Sequence, residues 1–223
     1  MILGTVVAAL LLVCWLFSMP LSEVFTSRME ITLGYSAKQD AQGLYYVVDD
    51  GHTRLLCFDE DAHIRYAMVD PADSEGGGLY IDDFAVDGGL VYLSASGWDG
   101  LLLSRELIAV FNGGHYVRTI TERDYSDMTV NKHRFYGVSV QDGVLSYAEC
   151  EDNAVLFHRI ALDSGEEQTQ RMYFDNAFNA VSDCVFYRDA VYVMEKSGII
   201  TAFENGKRAL VYSRSEERRV GKE

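Results

Sequence analysis

A turn followed by a short apolar run bearing tyrosine recurs four times in this chain, and that recurrence constrains the fold more than any other feature. The runs are Gly43-Leu44-Tyr45-Tyr46-Val47, Gly89-Leu90-Val91-Tyr92-Leu93, Gly143-Val144-Leu145-Ser146-Tyr147 and Ala190-Val191-Tyr192-Val193-Met194. They restart at residues 43, 89, 143 and 190, intervals of 46, 54 and 47 residues. Around each run the same order of segments is legible: a preceding β-rich stretch (31–37, 81–86, 136–140, 183–187), a hairpin partner (54–58, 101–107, 154–160, 199–203) and a closing stretch (64–68, 116–120, 170–174, 208–212). Val, Ile, Tyr and Phe fill these stretches, since branched and aromatic side chains suit a pleated surface, and Gly, Asp and Asn mark the reversals between them. Helical i, i+3, i+4 periodicity is scarce, and with only two prolines the reversals fall to Asp-Gly, Gly-Gly and Asn-Gly.

Four antiparallel strands restarting about every 45 residues are the pattern of a β-propeller blade. The expected fold is therefore all-β, a β-propeller of about four visible blades over residues 22–213. A β-sandwich with evenly spaced strands is the alternative, but nothing in a sandwich requires the pattern to restart. Most propellers close with more than four blades, so the expected ring is incomplete. Over residues 30–213 the chain resembles β-propellers in general, without the marks of particular families. Trp98-Asp99 falls in a hairpin before a third strand, where Trp-Asp repeats do not place that dipeptide, and Gly88-Gly89 and Gly113-Gly114 lack the aromatic partners of kelch repeats.

The two ends stand apart from the repeat. Residues 2–21 carry no charged side chain and reach about the 20 residues needed to cross a bilayer as a helix, so a membrane helix or export signal is expected there. Ser18-Met19-Pro20-Leu21-Ser22 offers no small-residue cleavage site, which favours an uncleaved anchor. Val13 beside Cys14 does not suit a lipoprotein box. Residues 214–223, Arg-Ser-Glu-Glu-Arg-Arg-Val-Gly-Lys-Glu, resemble the translation of a sequencing adapter and are set aside as a non-native tail. One N-terminal helix followed by a degenerate propeller is similar in plan to bacterial membrane-bound sensors. That resemblance implies an extracytoplasmic input domain at the cell membrane, with an output domain beyond Ser213.

The charge narrows the partners. With 34 acidic against 19 basic residues the formal charge is -15, which repels phosphate backbones, and no basic stripe interleaved with aromatics occurs, so no nucleic-acid partner is expected. No nucleophile elbow, zinc helix, phosphate loop or dinucleotide fingerprint is present, so no catalytic residue, cofactor or metal is expected. Asp59-Glu60-Asp61 lacks the spacing of a calcium loop, and the five histidines are scattered without paired ligand spacing. Of the four cysteines, Cys14 lies in the apolar N-terminal stretch; Cys57 and Cys184 read as small buried hydrophobes, and a Cys150–Cys184 bridge stays open.

Loop lengths point to one face. Turns between first and second strands are terse, whereas the stretches joining successive blades, 69–79, 121–133 and 175–181, are long, and they share a face with the hairpins between second and third strands. Residues expected at a ligand-binding site there are His52, Trp98, Asp99, Glu149, Glu151 and Glu195. An acidic face with an exposed indole suits a cationic, sugar-like or peptide ligand. Asp82, Asp83 and Asp183 begin innermost strands and either line the channel mouth or cap those strands. A propeller hydrolase or lyase with isolated acids, and an envelope scaffold, are the rival readings.

Overall fold

The computed structural model describes residues 34–49, 53–69, 79–99, 102–125, 134–151, 153–174, 177–187, 190–205 and 207–213. The expected membrane segment, the tail at 214–223 and His52 lie outside the described residues. Among those described, no helix is long and apolar enough to cross a membrane.

Among the described residues, sixteen strands form four separate antiparallel sheets of four, each in plain sequence order. The first holds β1 (Gly34–Gln39), β2 (Tyr45–Asp49), β3 (Arg54–Phe58) and β4 (Ile64–Val69). The second holds β5 (Leu79–Asp87), β6 (Leu90–Asp99), β7 (Leu102–Asn112) and β8 (His115–Asp124). The third holds β9 (Arg134–Gln141), β10 (Val144–Cys150), β11 (Ala154–Ala161) and β12 (Glu167–Tyr173). A short helix, α1 (Ala177–Ala180), leads into the fourth: β13 (Val181–Tyr187), β14 (Ala190–Glu195), β15 (Ile199–Glu204) and β16 (Lys207–Ser213). Each tyrosine-bearing run of the sequence is a second strand. The sandwich alternative fails, because its strands would join two sheets rather than four.

Side-chain alternation explains why the sheets stack as blades. Along β6, Val91, Leu93 and Ala95 point into a core shared with the first blade, beside Tyr46, Leu55 and Cys57. The intervening Tyr92 points the other way, with Ala85, Ile108 and Val110, into a core shared with Phe135, Leu145 and Tyr147 of the third blade. Every residue from 91 to 97 is consequently buried, Ser94 and Ser96 included, because the strand packs on both faces. A third core joins Cys150, Val155 and Phe157 to Val181, Cys184, Val193 and Phe203 of the fourth blade. Four blades thus share three cores, and among the described residues no core joins the fourth to the first. The free face of the fourth blade exposes Val185, Tyr187, Met194 and Tyr212. Successive innermost strands touch, β1 on β5, β5 on β9 and β9 on β13.

Candidate functional site

The innermost strand of every blade is irregular at the same place. Residues Gly34 and Ser36 of β1 oppose Asp49 and Val48, so Tyr35 is an extra residue; Asp82 in β5 and Ser182 in β13 are extra in the same way. In β9 two residues, Gly137 and Val138, face the single Tyr147. A β-bulge frees backbone groups from the ladder and re-aims the side chains beside it. Gly137 sits at a φ of 61°, and a Cβ there would lie 2.0 Å from the Cys184 carbonyl oxygen, so glycine alone permits this approach of β9 to β13.

The bulged segments border a common cavity of about 740 Å³, lined by Ser36 and Lys38 of β1, Asp82 and Asp83 of β5, residues 134–139 of β9 and residues 182–186 of β13. Asp82, Asp83 and Asp183 therefore line the channel rather than merely capping strands. Asp83 ties three inner strands together: Lys38 Nζ donates to its Oδ1 at 2.8 Å, and the bulge-freed amide of Val138 donates to its Oδ2 at 2.8 Å. Lys38 also donates to the Phe84 carbonyl and lies 4.8 Å above the Phe84 ring. Arg134 reaches Asp82 at 3.8 Å. Asp183 differs. It accepts the Cys184 amide at 2.8 Å, and among the described residues no cation stands within ion-pair distance of it. Burial raises its pKa, with repulsion from Asp83 adding to the shift and the Cys184 amide and Lys38 opposing it. Among the described residues, three carboxylates and two cations make the lining anionic, with one carboxylate outside any ion pair.

Three of the residues expected at the long-loop face, Asp99, Glu149 and Glu195, occupy equivalent positions, shared by Asp49 of the first blade. An acid closes or nearly closes each second strand: Asp49, Asp99, Glu149 and Glu195. They lie at one end of the molecule but on separate blades. Trp98 belongs to the end of β6, not to the hairpin turn expected for it; it is 40 % exposed and its indole N–H donates to Ser96 Oγ at 3.1 Å. Glu149 is buried, not displayed to solvent as the face required. Arg123 from the preceding blade forks onto it with two 3.2 Å bonds. Arg171 pairs with Glu151 at 2.6 Å, Arg54 pairs with the buried Asp49 at 2.5 Å, and Glu195 accepts from Ser197 Oγ at 3.1 Å. Much of the acidity read in the sequence is thus answered by arginines that arrive from other strands. Asp59, Asp61 and His63 bring possible ligand atoms within 4.8 Å of one another, but the Asp59 carboxylate accepts the amides of both other residues, which is the work of a turn.

A buried polar network between the second and third blades is illegible in the sequence. Glu106, 1 % exposed, accepts from the Tyr125 hydroxyl and the Phe135 amide, each at 3.2 Å. Burial pushes its pKa to about 8, and the Asp82 charge adds to this, while its two donors and Arg134 act the other way. His158, one of the scattered histidines, is a buried strand residue stacked on Tyr147 at 4.5 Å. Its Nδ1 meets Glu167 at 2.7 Å, and Nε2 lies 3.2 Å from Glu149 without hydrogen-bond alignment. The only linear hint was Glu106 itself, an acid in a stretch, 101–107, that the repeat assigns to a strand.

No protein-family model matches the chain, and no curated protein matches it. Solved structures do. A streptogramin B lyase structure superposes with a TM-score of 0.52 at 13% identity, covering 81% of this chain and 54% of that one. The virginiamycin B lyase of Staphylococcus aureus gives 0.51 at 13% identity, over 83% of this chain and 57% of the lyase. The chain has a β-propeller fold. A Bacteroides caccae protein of unknown function is similar too, with a TM-score of 0.52, 10% identity, and coverage of 73% and 55%. The chain therefore spans about half the length of these structures, and at such identities the likeness is one of fold alone.

Proposed function

We propose that this chain is a ligand-binding β-propeller, held outside the cytoplasm by an anchor at residues 2–21, serving as the input domain of a membrane sensor. The observation that carries the binding reading is the channel cavity. Bulged segments of four inner strands border it, and Asp183 presents a partly buried carboxylate with no cation within ion-pair distance among the described residues. The cavity's volume suits a small molecule, and its net negative lining favours an amine or an amino sugar. Trp98 on the adjacent face offers a stacking surface for part of a larger ligand.

The test is a thermal-shift screen of amines, amino sugars and neutral sugars against wild-type chain and Asp183→Asn. A stabilising amine whose effect disappears in the variant supports the reading; stabilisation that survives unchanged removes Asp183 from the site. A second reading, catalysis, rests on the same carboxylate, whose raised pKa suits proton exchange, and on the lyases among the structures of similar fold. Screening the same compounds for turnover separates the two.

A further inference from the structure

We propose that Cys150 and Cys184 are a disulfide site, a bond that staples the third blade to the fourth when the chain folds in the presence of a small disulfide oxidant. The two residues come from different blades. Cys150 ends β10 and Cys184 lies in β13, and both are free and buried in the core that joins these blades. β10 touches β13 across this interface, which puts the two thiols within hydrogen-bonding reach of each other. Two features hold them there. Gly137 lets the backbone of β9 press against the Cys184 carbonyl, and the Cys184 amide is fixed by Asp183 Oδ1 at 2.8 Å. Cys57 offers no competing partner, for it is buried in the core between the first and second blades, beside Tyr46 and Tyr66.

The chemistry balances with one named co-reactant. A thiolate of one cysteine attacks a low-molecular-weight disulfide such as oxidised glutathione, whose S–S bond breaks and releases one thiol. The second cysteine, as thiolate, then attacks the mixed disulfide, forming the S–S bond within the chain and releasing the second small thiol. Two protein thiols are oxidised, and one small disulfide is reduced to two thiols. In the folded chain Cys184 is a poor nucleophile, since the shared hydrogen bond and burial hold its pKa well above the usual thiol value. Oxidation therefore belongs to folding, before the core between these blades closes. The bond then constrains the stretch between the two cysteines, which carries two strands and a helix, and fixes β13 next to Asp183.

The sequence makes the test direct, because trypsin leaves the four cysteines on four different peptides. Cys14 falls within residues 1–28, Cys57 within 55–65, Cys150 within 135–159 and Cys184 within 172–188. The full chain is refolded in a glutathione redox buffer, alkylated, digested without reductant and mapped by mass spectrometry. The expected result is a linked pair of peptides 135–159 and 172–188, with Cys57 alkylated. A melting temperature several degrees higher without reductant than with it should accompany the link, and Cys150→Ala and Cys184→Ala should each abolish that difference. Full alkylation of Cys150 and Cys184 in the refolded chain overturns the proposal. So does a link that joins either of them to Cys57, or an undiminished redox-dependent shift in Cys150→Ala.

Discussion

Glu106→Gln should make the protein more stable at neutral pH and remove a large part of its pH dependence. The carboxyl is buried between two blades, and its pKa is raised from 4.5 to about 8. Because the folded value is the higher one, its contribution to stability is complete below pH 4.5 and is lost as pH rises through about 8. Over that window the unfolded chain is ionised and the folded chain is not, so stability falls by about 1.4 kcal/mol per pH unit. At pH 7 the accumulated cost is about 3 kcal/mol. In the protonated carboxyl Oε1 accepts the Phe135 amide and Oε2 carries the proton toward the Tyr125 hydroxyl, and Gln reproduces both roles. The gain is therefore about 3 kcal/mol, or ~6–12 °C in melting temperature for a chain of this size. Urea denaturation of both proteins, followed by circular dichroism from pH 4.5 to 8.5, measures the difference directly. The difference should grow with pH across the window. Parallel curves would refute the reasoning, since they would mean that Glu106 ionises in the folded protein as readily as in the unfolded chain.

Three further substitutions probe the rest of the site. Gly137→Ala combines a left-handed backbone with a Cβ 2.0 Å from the Cys184 carbonyl oxygen, and should cost more than about 3 kcal/mol, read as a lowered urea midpoint or loss of the cooperative melt. Arg123→Ala strips the forked partner from a carboxylate that is 2 % exposed, and should lower stability by about 3 kcal/mol in chemical denaturation. Trp98→Ala should cost less than about 1.5 kcal/mol, because the indole is 40 % exposed, whereas truncating a buried tryptophan costs ~3–5. A larger loss in calorimetry would make Trp98 a packing element and remove it from the proposed ligand contacts.

The sequence by itself determined the blade repeat. Turn chemistry and period-two apolar alternation are local, so the four second strands, their hairpin partners and the four-strand order are readable residue by residue. The tertiary structure decided the site. Which arginine answers which acid depends on pairings between strands and blades: Arg123 and Glu149 are 26 residues apart, and Lys38 and Asp83 are 45 apart. A bulge is a mismatch between two paired strands, so Tyr35, Asp82 and Ser182 carry no mark of it in one dimension, yet it is the bulges that bring Asp83 and Asp183 onto a common cavity. The contact between Cys150 and Cys184 is of the same kind. Local free energy writes strands and turns into the sequence, while charge pairing, desolvation and thiol contact depend on distances that exist only once the blades have stacked.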